Sequence, residues 1–578
     1  MNSNIQKCAV LMGALLLAIT TRAVNPAMPN IPKNIFNVTD YGAIGDGVKD
    51  NTTNLQNTID AANAAGGGIV EIPTGRYLSG PITLLSSINL QVDTNAILQM
   101  LPLGTYPGGA TNAETFIGCH EVHDLEISGW GKIDGQGAAW WADYDTNRSL
   151  VRPMMLNLYS CDRLFIHDIT FQNPPRHHCG LRDNGGNITI SNLTVNTPYT
   201  SSSGVHAHNT DGLNFVGTNS IIEDCHISDG DDNIAMGSSG PINGLLITNC
   251  TFGSGHGVSI GSSITVGISN LTVIDCTFNG TQNGIRLKSN NDRGGPVQNL
   301  TYMDITMTNV RSPILIYSYY SEGKSLNVSP QEAAGFATSA TGGLKPRKEK
   351  LQRPGRLISR NPIWHDITFR NIMATNAVDA GMIWGQPEML VSNVTLDHVT
   401  INSLNPFHIY NARGIRFEDT QIHPAGRNTY EIYNAEVTIS NSAPGAPSVS
   451  IAGLFSSNAL ALYNAPASLS SHDLFGINPL TLSGSTLANS GNLTLPASMV
   501  LNFMMGTHDS LLAEAGNLTL NSTLNVTASD GFKAGPCTLV SYSGSLSGTP
   551  VLGSTPRESQ CRLDTNTLGK VRLVLIDQ

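Results

Sequence analysis

A short phrase recurs along this chain: apolar, any residue, apolar, any residue, Asp or Asn, then an apolar residue or Cys, any residue, apolar. Its clearest copy is Leu164, Ile166, Asp168, Ile169 and Phe171. Further copies centre on Asn192, Asp224, Asn249, Asp275, Asp304, Asn371 and Asp419. From Asp168 to Asp304 the steps are 24, 32, 25, 26 and 29 residues. Alternation on both sides of the polar residue predicts strands. The step is too short for an ordinary βαβ unit and fits one coil of a parallel β-helix, a solenoid of strands and turns. Stacked coils turn the Asp/Asn column into a hydrogen-bonding ladder. The next position then points inward as Ile169, Leu193, Cys225, Cys250, Cys276 and Ile305. Three cysteines in such a column read as buried thiols that act as small apolar residues.

The pattern changes at both ends. Ahead of the repeats, Gly66 to Gly68 and Ile69 to Pro73 mark a turn and a strand, and Thr52 to Ala65 predicts a short helix over the open end of the solenoid. The ladder fades after Ile439, and Ala443-Pro444-Gly445-Ala446-Pro447 reads as a linker. Beyond it come short Thr/Leu alternations, Gly491-Asn492-Leu493-Thr494-Leu495 and Gly516-Asn517-Leu518-Thr519-Leu520. The expected organisation is an export signal over 1–23, a parallel β-helix over 24–440, a linker over 441–477 and a small all-β module over 478–578. The fold class is all-β.

Composition agrees. Only 13% of the 578 residues are charged and 58 are Gly, which suits short strands and turns rather than helices. The formal net charge of −11 argues against nucleic acid as a partner. Lys7, the apolar stretch Ala9 to Thr20 and the small-x-small Thr21-Arg22-Ala23 have the form of a secretory signal cleaved near Ala23. That stretch is too short to span a bilayer, so a secreted, periplasmic or cell-surface monomer without a membrane span is expected. Eight cysteines follow Cys8, too scattered for a disulfide framework and without zinc-finger spacing. Cys537 and Cys561, alone together near the C-terminus, are the expected bridge.

Against the coil length, the chemically capable residues fall into order. Asn209-Thr210-Asp211 is followed by Gly230-Asp231-Asp232, then Gly255-His256-Gly257, then Arg286-Leu287-Lys288, then Tyr320, each about one coil on. Successive coils lie about 4.8 Å apart, so these residues gather on one strip of surface. Taken singly, an Asp-Asp pair is most often a solvated turn. In order, the set supplies what cleavage of an acidic glycan requires. One carboxylic acid protonates the leaving oxygen and another carboxylate activates water or attacks the sugar. Crowded carboxylates raise the proton affinity of at least one. Arg and Lys hold the substrate carboxylate. Gly230 allows a bulge or strand end that aims both aspartates at one cleft.

These residues resemble the polygalacturonase family of glycoside hydrolases. The family pattern Asn-Thr-Asp, Gly-Asp-Asp, Gly-His-Gly, Arg-Ile-Lys reads here as Asn209-Thr210-Asp211, Gly230-Asp231-Asp232, Gly255-His256-Gly257 and Arg286-Leu287-Lys288. Tyr320 falls where the family keeps a substrate-contacting Tyr. Asp40-Tyr41-Gly42-Ala43, Ile133 to Gly137 with Trp140-Trp141, and Arg152-Pro153 agree, so the resemblance covers about residues 36–440. It implies a right-handed parallel β-helix and an inverting hydrolase of α-1,4-linked galacturonic acid that needs no metal or cofactor. In that reading Asp231 is the general acid, Asp211 and Asp232 activate water, and His256 tunes the acid. Arg286, Lys288, Tyr320 and Asn209 contact the pectic substrate. Residues 532–574 resemble the β-strand modules of autotransporter-like and other bacterial surface proteins, through Phe532-Lys533-Ala534-Gly535, Leu546-Ser547-Gly548 and Leu563-Asp564-Thr565.

Two departures stand out. The Cys that often follows Asp-Asp in the family is missing before Ile234-Ala235-Met236, which removes a disulfide. Residues 321–361 exceed a coil turn and carry a basic cluster between Lys345 and Arg360, expected at one end of the cleft and drawing in a polyanion. That insertion leaves endo or exo action open. The rival readings are a calcium-dependent pectate lyase, a hydrolase of rhamnogalacturonan or xylogalacturonan, and a non-catalytic surface carbohydrate-binding protein.

Overall fold

The computed structural model describes residues 24–576, except 183–184, 238–239, 291–292, 321–360, 427, 442–448, 454–457, 471–476, 507–509, 515, 530–531, 533–534 and 557–560. The expected signal over 1–23, the core of the expected linker and the basic cluster of 345–360 lie outside the described residues.

Nearly every strand pairs in parallel with the strand one coil away. Each coil contributes three strips. In the first two, Leu164 and Ile166 lie beside Ile188 and Ile190, and Ile169 and Phe171 beside Leu193 and Val195. In the third, Leu213, Ile234, Val258, Ile285 and Ile314 stack in one row. These side chains alternate inward and are buried, so one apolar column runs along the axis. Phe252 and Phe278 stack within it with ring centroids 4.6 Å apart. Cys225, Cys250 and Cys276 occupy the expected inner row as buried, unbridged thiols.

The Asp/Asn column marks the bend between the first and second strips. Asp168, Asn192, Asp224, Asn249, Asp275, Asp304, Asn371 and Asp419 all have positive φ, between 45° and 56°. Asn and Asp tolerate this left-handed conformation better than other side-chain-bearing residues. The expected ladder also forms: Asn192 Nδ2 donates to Asp168 Oδ1 at 2.7 Å, and Asn371 Nδ2 to Asp304 Oδ1 at 2.9 Å. A second column at Asn187, Asn219, Asn270 and Asn299 bends the chain at the start of the first strip in the same way.

The predicted N-terminal helix forms over Thr52–Ala64 and packs Leu55, Ile59 and Ala62 against the first coils. A second helix, Gly137–Thr146, buries Trp140 and Trp141, and Trp141 Nε1 donates to Pro174 O at 2.9 Å.

The C-terminal third corrects the expected organisation. The described parts of 441–477 are not linker. Strands Val449–Gly453, Asn458–Tyr463 and Ala467–Ser470 stack in parallel on Tyr430–Ser440 and on each other's successors. Stacking then continues into the expected separate module, with Leu480 beside Leu501 and Leu501 beside Leu524. The two Gly-Asn-Leu-Thr-Leu phrases lie beside each other, Leu493 against Leu518. Their spacing is therefore another coil step rather than the mark of a new domain. Only the end differs: Lys570–Leu575 pairs antiparallel with both Cys537–Ser541 and Cys561–Asp564. Cys537, opposite Leu573, and Cys561, opposite Leu575, thus lie on opposite sides of one strand, two strand spacings and two residues of register apart, more than about 9.5 Å. That exceeds the reach of a disulfide, and the expected bridge is absent.

Candidate active site

The turns that join the second strip to the third carry the chemistry. Asp231 and Asp232 follow strand His226–Ser228 and precede Ile234–Met236. His256 sits between Thr251–Phe252 and Val258–Ile260 on the next coil, and Asp211 just before Leu213–Phe215 on the previous one. Arg286 and Lys288 lie on Asn283–Lys288 and alternate with the buried Ile285 and Leu287, so they point outward. The turn rather than a regular strand lets adjacent Asp231 and Asp232 both face the site, as Gly230 suggested.

Asp231 is held from three sides. His256 Nδ1 lies 3.1 Å from its Oδ1, which also accepts the Asp232 N–H at 3.0 Å. Oδ2 accepts the Asn209 N–H at 3.2 Å. Burial alone would raise the proton affinity of this carboxyl. The His256 hydrogen bond and the charges of His256, Lys288 and Arg286 outweigh it and hold Asp231 below the usual carboxylate range.

Asp232 is almost fully buried and tied down at both oxygens. Lys288 Nζ donates to Oδ2 at 2.7 Å, and Arg286 Nη1 and Ser259 Oγ donate to Oδ1 at 3.2 and 2.7 Å. Lys288 is itself only 4% exposed, so in the free protein it serves Asp232 at least as much as a future ligand. Tyr320 forms the exposed rim, its ring centre 4.9 Å from Lys288 Nζ and 5.5 Å from the Arg286 guanidinium carbon.

Asp211 and Asn209 complete the group. Asn209 bridges inward: Arg152 Nη2 donates to its Oδ1 at 2.7 Å, and its Nδ2 lies 3.5 Å from Asp231 Oδ2. Its amide is thus committed to orienting Asp231, beyond the substrate contact expected of it. Asp211 Oδ1 lies 3.0 Å from His177 Nδ1, a close approach without hydrogen-bond alignment. All eight expected residues therefore occupy one region of consecutive coils.

Sequence reasoning missed His177, Arg152 as the partner of Asn209, Ser259, and two buried residues of the catalytic turn, Asp229 and Asn233. Register offers the signal for Ser259, which lies beside Arg286 on the neighbouring strand. Nothing in the local sequence marks His177.

Asp231, Asp232 and His256 present ligand atoms within 4.8 Å of one another, a spacing a cation could use. The cations already bound to Asp232 oppose this. A hard cation such as calcium requires six to eight oxygen ligands, and here a Lys and an Arg occupy one of the two carboxylates.

Comparison with known proteins agrees with this geometry. The family described as Glycosyl hydrolases family 28 matches residues 67–334. An endo-polygalacturonase of Pectobacterium carotovorum subsp. carotovorum is 30% identical over 332 residues, 51% of this chain and 80% of the relative. A probable polygalacturonase of Arabidopsis thaliana is 32% identical over 316 residues, 53% of this chain, and the chain spans 66% of that relative's length. The solved polygalacturonase from Erwinia carotovora ssp. carotovora superposes with a TM-score of 0.53 at 25% identity, covering 68% of this chain and 98% of that one. The chain belongs to glycosyl hydrolase family 28 and is a glycoside hydrolase built on a right-handed parallel β-helix.

Proposed function

We propose that the protein hydrolyses α-1,4-galacturonosyl linkages of polygalacturonate with inversion at the anomeric carbon. The observation that carries this reading is the placement of Arg286, Lys288 and the exposed Tyr320 beside the Asp231–Asp232–His256 group. A guanidinium and an ammonium under an aromatic rim suit a sugar ring that bears a carboxylate.

Asp231 protonates the leaving oxygen. In the free site its carboxyl is ionised, because the cations and His256 favour the charge. A galacturonate carboxylate that takes up Arg286 and Lys288 cancels part of their field, and sugar packing removes water. Both changes return the advantage to the protonated form, so substrate loads the acid. Asp232 keeps a free lone pair on Oδ2, beside the bond it accepts from Lys288 Nζ, and together with Asp211 accepts the proton of the attacking water. His256 holds Asp231 in orientation throughout.

The chain is exported in this reading, on the form of residues 7–23, and it acts on pectic polysaccharide outside the cytoplasm. No helix among the described residues is long and apolar enough to cross a membrane. The hydrolytic reading is checked by incubating the protein with polygalacturonic acid and a strong chelator. Reducing ends should appear at the rate seen without chelator, and no unsaturated product should form. Activity that needs calcium and yields unsaturated ends would identify a lyase. Cleavage of only rhamnogalacturonan or xylogalacturonan would move the substrate, and binding without cleavage would leave a carbohydrate-binding protein.

A further inference from the structure

Two residues of the catalytic turn do no chemistry in the account above, yet both are wholly buried: Asp229 and Asn233. Their side chains meet behind the aspartate pair, Asn233 Nδ2 lying 3.3 Å from Asp229 Oδ2. We propose that Asp229 and Asn233 form a positioning brace that locks the Asp231–Asp232 turn to the His256 turn of the next coil. This rests on the hydrolytic reading of the site.

The Asn233 carboxamide acts like a piece of strand. Its Oδ1 accepts the Gly257 N–H at 2.9 Å, and its Nδ2 donates to Ser254 O at 2.9 Å. Those two backbone groups flank Gly255 and His256, so one side chain grips both ends of the histidine turn. The main chain repeats the link, with Asn233 N donating to Gly257 O at 3.1 Å and His256 N to Asp231 O at 2.6 Å. Asp229 holds the other side. Its Oδ1 accepts the Asp231 N–H at 3.0 Å, its backbone N–H donates to Ser254 O at 2.9 Å, and its carbonyl accepts Ser254 Oγ at 3.1 Å.

Two glycines are shaped around this brace. A Cβ on Gly255, whose φ is +136°, would fall 2.5 Å from Asn233 Nδ2, and a Cβ on Gly212 would fall 2.9 Å from Asp229 Oδ2. Gly255 in the Gly-His-Gly phrase is thus required by Asn233 as well as by its own backbone. Asn233 directly follows the Asp pair, where the family often carries a cysteine that this chain lacks. Here hydrogen bonds tie the two turns, and no thiol is involved.

Burial pushes the Asp229 carboxyl well above the usual carboxylate range, and Asp211 from the preceding coil and Asp231 and Asp232 from its own turn push it the same way, against the Asp231 N–H bond.

The test compares four variants on polygalacturonate with the parent protein alongside. Asn233→Ala and Asp229→Ala should lower kcat about tenfold or more, because small displacements of catalytic groups are costly. KM should stay within about twofold, since Arg286, Lys288 and Tyr320 are untouched. Asp229→Asn keeps an acceptor for the Asp231 N–H but turns an NH2 toward Asn233 Nδ2, and should lose less kcat than Asp229→Ala. Asn233→Asp keeps the acceptor for Gly257 but loses the donor, and should fall between. If the alanine variants do not fold, Asn233→Asp decides: a lowered kcat with KM within about twofold supports the brace, and the parent's kcat in this variant would overturn it. Folded alanine variants with the parent's kcat would overturn it too. An inactive parent protein would instead count against the hydrolytic reading itself.

Discussion

Asp231→Asn loses turnover by about two to four orders of magnitude, the usual contribution of a positioned general acid. The amide keeps the shape of the carboxyl and one oxygen to accept the Asp232 or Asn209 N–H. It cannot carry a proton to the leaving oxygen. Folding should be preserved, because the Asp231 charge is not what anchors the turn: the backbone bond from His256 N to Asp231 O and the Asn233 contacts remain. Substrate affinity should change little, since Arg286 and Lys288 keep their charges. The check is kcat and KM on polygalacturonate beside the thermal unfolding midpoint. A variant that keeps more than a few per cent of the parent kcat would move the acid to another carboxyl.

Lys288→Ala has the second large effect, and the structure changes its expected form. Read from sequence, Lys288 is a substrate clamp whose loss weakens binding. In the fold it is also the buried partner of Asp232, 2.7 Å from Oδ2, with both side chains 5% exposed. Removing one member of such a pair costs folding stability, here softened because Arg286 and Ser259 still donate to Asp232 Oδ1. Loss of the ammonium as a charge-assisted donor, worth about 1.5–3 kcal/mol, lowers kcat/KM by roughly one to two orders of magnitude. Part of that loss belongs to kcat, because Asp232 loses the donor that fixes its Oδ2. Lys288→Arg should not restore the parent, since a planar fork does not fit a buried point-charge site. A raised KM with an unchanged kcat would return Lys288 to a binding role alone.

Much of the architecture was legible because a solenoid repeats its own spacing. The Asp/Asn column gave the coil length, and the coil length brought Asp211, Asp231, His256 and Arg286 together before any coordinate did. The column was read for the right position and half the reason. The ladder of hydrogen bonds is there, but the left-handed backbone of Asp168, Asn192 and their successors is what selects Asp and Asn over other polar residues. Beyond Ile439 the pattern became hard to read because the polar corner residue changed while the stacking did not. Asn464 still holds the corner with φ 49°, but Gly484 takes it on the next coil, where Ser485 Oγ bonds backward to Ser483 O. The same coils therefore looked like a linker and a separate module.

At the site, outward-facing residues were found from order and spacing. Residues that support them from behind were not. Asp229 is one position from Gly230 and reads as part of a solvated turn until its complete burial is known. His177 reaches Asp211 across a coil boundary, and no local pattern encodes that contact. The expectation that crowding raises one of the three cleft carboxyls is not met at Asp231, which its neighbours lower in the free site. The raised carboxyl is Asp229, and burial rather than crowding is the main cause.

In the proposed mechanism the carboxylates act on opposite faces of the scissile bond, with water attacking directly. Proton NMR of the first product released from a short oligogalacturonate tests this most directly. The new reducing end should appear first as the β-anomer and then mutarotate toward equilibrium, because an α-linkage cleaved with one displacement inverts. A new reducing end that appears first as the α-anomer would require two displacements and a covalent intermediate, and would contradict the roles assigned to Asp211, Asp231 and Asp232.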